Sequence, residues 1–291
     1  MRRGQGVPVK NTNRICAYCG SANDLSKEHL FPKFLHERSQ GSMISVARTA
    51  LGDKAVSGEL KIGDVCKRCN NGPLASLDNY VCDLHDRFFN YIVHSGDRVD
   101  FRFDFERLLR WLLKVGYNIS RARGGTIDSS TDLANYILNG THRPTGFRVF
   151  LQLIIPTPTS SRTWVTIPDA PEIPPAPARI DFLDVRVLVG FNIAFALSLN
   201  SYLFHVFKED HRVPRNIRAR ILKSLLKNMP GAYEMTDRNR AIVCSSSLDF
   251  MTFVEGNSVF VRHLEIMKRH NDQLNQRNKK APSFAAKIRK P

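Results

Sequence analysis

Cys16-Ala17-Tyr18-Cys19-Gly20 and Cys66-Lys67-Arg68-Cys69-Asn70-Asn71-Gly72 carry four of the chain's six cysteines, as two Cys-x-x-Cys pairs separated by forty-six residues. Two thiolates at this spacing clasp one side of a zinc ion, and two such pairs complete the tetrahedral shell of a structural site. Each pair runs into the residues a tight turn needs, Gly20 after the first and Asn70-Asn71-Gly72 after the second. A redox reading requires only one pair, set in a thioredoxin-like strand and helix, and neither neighbourhood offers them. A closed four-thiolate shell leaves no position for water or substrate, so this ion holds the fold and any chemistry falls to its neighbours. Cys82 and Cys244 stand outside the pattern and read as small, buried apolar residues.

The chain around these pairs has 291 residues, of which 42% are hydrophobic and 24% charged. That is ordinary globular composition, long enough for one large domain or two ordinary ones, and it excludes collagenous, mucin-like and disulfide-scaffold classes. Charge is the unusual feature: 43 Lys and Arg against 27 Asp and Glu leave a formal +16. An excess of this size implies a polyanionic partner, nucleic acid before anionic membrane. The longest apolar run, Val187 to Leu199, is too short to span a bilayer and reads as a buried strand pair. Met1 to Asn13 is polar and basic and does not resemble a signal peptide, so a cytoplasmic protein with reduced cysteines is expected.

Periodicity divides the chain into residues 1–95, 96–274 and 275–291. In the first unit Leu74, Leu77, Val81, Leu84, Phe88 and Ile92 recur at threes and fours, predicting an amphipathic helix that starts after Gly72-Pro73. Asp78, Asp83 and Asp86 fall on its solvated face. A turn signal at Ser95-Gly96-Asp97 closes the unit. The second unit opens with a helix over Phe105 to Arg121, Trp111 beside its apolar face, and a shorter one over Thr131 to Leu138. Strands follow at Phe147 to Ile155, Thr163 to Ile167, Asp184 to Leu199 with an internal turn, and Tyr202 to Phe207. Pro168 to Pro177 is too proline-rich for a sheet centre and reads as an extended surface loop. Basic amphipathic helices are expected at Arg215 to Lys227 and Ser258 to Gln273, and residues 275–291 form a basic tail that orders only on its partner. The fold class is therefore α+β, a zinc-stapled N-terminal unit followed by a larger mixed one.

Between the cysteine pairs lies Ser26-Lys27-Glu28-His29-Leu30-Phe31-Pro32, and Asn70 follows the second pair directly. In Cys16, Cys19, Glu28, His29, Pro32, Cys66, Cys69 and Asn70, the first ninety or so residues resemble the zinc-knuckle branch of the HNH endonucleases, with its treble-clef ββα-metal site. The resemblance implies that His29 is the general base and that Glu28 and Asn70 hold a catalytic divalent cation, Mg²⁺ or Mn²⁺. The chemistry is consistent: an imidazole is suited to taking a proton from water near neutral pH, and a hard, oxygen-bound cation offsets charge at a scissile phosphate. Adjacent strand residues point to opposite faces, so Glu28 and His29 must sit at a strand end or bulge. The bracing Asn that many such enzymes carry before the second cysteine pair is absent from Gly58 to Val65. Asn71 is a lesser ligand candidate, and His36 the reserve histidine. His85, His94, His142, His205, His211, His263 and His270 lack comparable surroundings and read as packed or exposed side chains.

Lys33, Lys67 and Arg68 flank this site, and Arg215 and Arg218 head the central basic helix, all as candidate phosphate contacts. DNA is the expected partner, with RNA not excluded, no membrane, and a homodimer or a partner protein of a defence system possible. The expected activity is metal-dependent nicking or double-strand cleavage of DNA, in a setting such as bacterial phage defence or restriction. The rival expectation is a zinc-dependent nucleic-acid-binding protein that no longer cuts.

Overall fold

The computed structural model describes residues 15–38, 44–49, 52–57, 60–91, 93–122, 131–154, 180–184, 191–227 and 229–245. The expected strand Thr163 to Ile167, the proline-rich stretch, the helix Ser258 to Gln273, the tail, His263 and His270 lie outside these, as does the side chain of His36. Within them the chain is mixed α+β with antiparallel sheets.

The first cysteine pair forms a turn closed by Cys16 N–H to Ser21 O (2.7 Å) and Gly20 N–H to Cys16 O (2.8 Å). Gly20 has φ +73°, a conformation that only glycine adopts without cost. Strand β1 (Leu25–His29) then leads to α1 (Lys33–Arg38), a hairpin of β2 (Ile44–Thr49) and β3 (Gly52–Ser57), and β4 (Lys61–Cys66), which returns antiparallel to β1. Leu25 lies opposite Cys66 and Glu28 opposite Ile62; β4 spends one extra residue between, a bulge at Gly63-Asp64. Thus Glu28 lies beside a bulge of the partner strand and His29 ends its own strand.

The second cysteine pair is itself the first turn of the long helix. That helix runs as α2 (Lys67–Cys69), a π turn over Asn70–Leu74, α3 (Ala75–Leu84) and a second π turn over His85–Phe89. It therefore starts before Gly72-Pro73, not after it, with Pro73 inside. Wide i→i−5 bonding, Ala75 N–H to Asn70 O, lets the helix pass a residue that has no N–H to give. Leu74, Leu77, Val81 and Leu84 are buried as their spacing predicts, but the second π turn adds a residue to the repeat, and Phe89 rather than Phe88 takes the inner face.

Helix α4 (Phe105–Ala122) is buried almost all round, from Trp111 through Ser120 without a break, which makes it the central element. Its N-terminus is capped from far along the chain, Phe105 N–H donating to Asn239 Oδ1 at 2.8 Å. Gly116 lets it approach the sheet: a Cβ there would meet the Phe195 ring at 2.9 Å. Helix α5 (Thr131–Asn139) packs beside it, its last carbonyls at Ile137 and Leu138 accepting from Arg110. Against α4 lies a five-stranded antiparallel sheet of β6 (Phe147–Leu153), β7 (Ile180–Asp184), β8 (Phe191–Leu199), β9 (Tyr202–Glu209) and β10 (Tyr233–Met235), in the order β10-β6-β9-β8-β7. The stretch Asp184 to Leu199, expected as strand with an internal turn, holds the last residue of β7 and all of β8, which pair antiparallel. β5 (Arg98–Arg102) pairs with β11 (Arg240–Cys244), and α6 (Arg215–Lys227) lies over a small separate cluster of Phe150, Phe191, Phe207, Leu222 and Met229.

The main apolar core cluster has members on both sides of residue 95, from Cys16 to Val243. Burying Leu or Phe side chains of this kind stabilises by about 1.5–3 kcal/mol each. Among the described residues no helix is long and apolar enough to cross a membrane.

Candidate metal centre and its surroundings

The turn before β1 and the junction of β4 with α2 bring Cys16, Cys19, Cys66 and Cys69 together, their four sulfurs all within 4.8 Å of one another and Cys19 to Cys66 at 3.6 Å. Sulfurs 2.3 Å from a tetrahedral zinc stand about 3.8 Å apart, so the cluster contracts onto a zinc ion with little movement. Three of the four are buried and Cys19 is exposed. Burial opposes ionisation of Cys16, but backbone N–H groups of Cys66, Cys19 and Tyr18 outweigh it and bring the thiol down to about 7. Burial raises Cys69, and the neighbouring thiols raise it further. Burial raises Cys19 too, and thiols that resist ionising side by side are donors a dication relieves. These residues can hold a structural metal such as zinc.

Asn70, first residue after the second pair, turns its amide back toward β1. Its Nδ2 donates to Ser26 Oγ (3.0 Å) and Lys27 O (3.1 Å), while Ser26 Oγ donates to Val65 O (2.9 Å). The cysteine cluster and β1, just ahead of Glu28 and His29, are thus tied together through one side chain, with the Asn70 Oδ1 left as its acceptor end.

Glu28 is buried, 3% exposed, with its carboxylate 2.7 Å from Lys114 Nζ. Lys114 is 1% exposed and its ammonium also donates to Asp78 Oδ2 at 2.6 Å, while Trp111 Nε1–H donates to Asp78 Oδ1 at 3.1 Å. Asp78 therefore does not lie on a solvated face; it is the second counter-ion of a buried ammonium, whereas Asp83 and Asp86 are exposed as expected. Burial raises the Glu28 carboxyl above its ordinary range against the pull of Lys114. For Lys114, burial works against the charge, but Asp78 and Glu28 overcome it and hold the ammonium protonated.

His29 is half-exposed, and its backbone oxygen lies 3.5 Å from Asn118 Nδ2. Asn118 Oδ1 accepts from Tyr18 Oη (2.6 Å) and Arg121 (2.7 Å), Tyr117 Oη donates to Ala17 O (3.0 Å), and Arg121 pairs with Asp64 (3.1 Å) over the Tyr117 and Tyr18 rings. One face of α4 thus supplies Lys114, Tyr117, Asn118 and Arg121 to the cysteine-bearing turn, β1 and β4. Sequence reasoning assigned none of the four to the site and counted Tyr117 with the helix's apolar face; the available signal was Lys114, a lone charge between Leu113 and Val115 in an otherwise apolar stretch.

Of the candidate phosphate contacts, Lys33 is exposed and pairs with Glu37 (2.6 Å), Lys67 is exposed 4.0 Å from Asp24, and Arg68 and Arg215 are exposed. Arg218 is a correction. Its guanidinium is 11% exposed and is consumed within the protein, donating to Glu209 Oε2 (3.0 Å), Asp210 O and Val213 O. Cys244 is also corrected: it ends β11 exposed, and Cys82 is only half-buried. Among the described residues no second group of three or more His, Cys, Asp or Glu side chains is close enough to hold an ion. In comparisons with known proteins, no family model, no curated protein and no solved structure matches the chain.

Proposed function

We propose that the chain is a metal-dependent endonuclease of the HNH type that hydrolyses phosphodiester bonds of DNA, with phage defence or restriction as its setting. The observation that carries this reading is the Asn70 bridge, which joins the sulfur cluster to Ser26 and Lys27 of β1, the residues that lead into Glu28 and His29. An antiparallel β1 and β4 followed directly by a helix is the ββα order such a site uses. His29, at a half-exposed strand end, takes the proton of the attacking water. Asn70 Oδ1 is a neighbouring side-chain oxygen that, among the described residues, is not tied to an internal cation. A hard cation such as Mg²⁺ or Mn²⁺ supplies, when bound, positive charge at the phosphate and the departing oxygen. Glu28 joins its ligands only by giving up Lys114, so no step is assigned to that carboxylate.

A second reading is favoured by that same ion pair: with Glu28 neutralised internally, the unit binds nucleic acid without cutting it. Incubation of supercoiled plasmid with the full chain and Mg²⁺ or Mn²⁺, beside His29→Ala, separates the two. Nicking that disappears in His29→Ala supports the nuclease; DNA retention without nicking by either protein supports the binder.

A further inference from the structure

Arg215, Arg220, Lys223 and Lys227 on α6 are exposed, and among the described residues they make no ion pair or hydrogen bond. Arg110, Arg121, Arg148, Arg212, Arg218 and Arg240, by contrast, end on carboxylates or carbonyls; of the other described arginines Arg68, Arg98 and Arg238 are also exposed without such a partner, but they are scattered rather than gathered on one helix. At 3.6 residues per turn the four free cations fall within an arc of about 140°. Ile221, Leu222 and Leu225 fall outside that arc, packed on the cluster under the helix, and Leu226, partly buried on the same cluster, falls beside Arg215 at the arc's edge. Helix α6 contains no Asp or Glu at all. Stability alone does not account for the pattern. Arg215 sits at the N-terminal end, where the helix dipole disfavours a cation, and Lys223 and Lys227 repel each other at i, i+4.

We infer that this face of α6 is a phosphate-binding track for duplex DNA, lying outside the Glu28-His29-Asn70 region and reading charge rather than sequence. The inference rests on the nucleic-acid reading above and names the surface that would deliver it. The cations extend over about 18 Å of helix, a length along which duplex DNA presents on the order of ten phosphates, so all four can be neutralised together. Arg218, which sequence placed in the track, is outside it.

The test is fluorescence anisotropy of a short labelled duplex with the full chain in a His29→Ala background, between about 50 and 200 mM salt. Arg215→Gln, Arg220→Gln, Lys223→Gln and Lys227→Gln are combined, since glutamine keeps helix propensity and removes charge. The magnitude of the slope of log affinity against log salt is expected to fall by about 3–4, at roughly 0.9 for each phosphate no longer neutralised. A charge-preserving combination, Arg215→Lys, Arg220→Lys, Lys223→Arg and Lys227→Arg, is expected to keep the parent slope. Should the fourfold glutamine variant fail to fold, the pairs Arg215→Gln/Arg220→Gln and Lys223→Gln/Lys227→Gln are each expected to remove about half as much. An unchanged slope overturns the track while leaving the nuclease reading intact. Absence of DNA binding by the parent overturns both, and capture by phosphatidylserine vesicles without DNA binding assigns the face to a membrane instead.

Discussion

The cysteine-bearing turn with β1, β4 and α3 and the five-stranded sheet are built on opposite principles. In the first, charge is taken inside and matched: four thiols converge, and one fully buried ammonium is held between Glu28 and Asp78. In the sheet, the interior is aromatic and aliphatic. Phe89 packs edge to face on Tyr202 and Phe204, Phe101 lies tilted against Tyr202, and the sheet's one buried histidine, His205, is kept neutral. A region that stores matched charge is held by a few strong, removable contacts. A region that excludes charge is held by many weak ones, and α4 packs against both.

The largest break in that comparison is removal of the metal. Structural zinc contributes on the order of 10 kcal/mol to small zinc-bound folds. The purified chain is expected to carry one zinc by native mass spectrometry, and Cys69→Ser or chelation to abolish it. Hydrogen exchange should then show amides of β4 and α3 losing protection while β8 and β9 keep theirs. Simultaneous loss in both regions would mean that α4 welds them into one cooperative unit, and the contrast would dissolve.

Next in size is the buried ammonium. Lys114→Met leaves two carboxylates facing an apolar side chain, and removing one partner of a buried ion cluster costs about 3–5 kcal/mol. Urea unfolding of Lys114→Met should show this loss. The combination Lys114→Met, Glu28→Gln and Asp78→Asn should recover most of it, because the replacement is then neutral throughout. A Lys114→Met variant as stable as the parent would show that the cluster is solvated rather than sealed.

What could be read in advance follows the same division. The sulfur pairs announce themselves because each ligand pair is local, and α4 and α6 keep the limits their periodicity predicts, to within a residue. Pro73 hides the true start of the long helix, since a π turn that accommodates proline has no composition of its own. Glu28 and His29 are legible as a pair, but the partner that buries Glu28 lies on α4, and no spacing rule connects Glu28 to Lys114. Arg218 and Arg215 look alike in sequence; only the approach of Glu209 and two carbonyls distinguishes the bound one from the free one. Tertiary charge pairing, rather than secondary structure, is the part that local pattern does not carry.

The smallest of the expected effects tests the sheet's exclusion of charge. His205 lies on β9 between Phe150 of β6 and Ala196 of β8, its ring nitrogen 3.2 Å from Gln152 Oε1, and burial drives its pKa down to about 3. Between that value and the unfolded 6.5 the unfolded chain binds the extra proton, so stability is complete above pH 6.5 and declines as pH falls. At pH 5 the loss from this one group is about 2 kcal/mol. Acid also protonates the metal-binding cysteine thiolates, so the useful quantity is the difference between parent and His205→Leu. Leucine forfeits the Gln152 contact at every pH but has nothing to protonate, so the difference should shift in favour of the variant between pH 6.5 and 5. A pH-independent difference would mean that His205 takes up its proton inside the sheet, and that this region, too, tolerates charge.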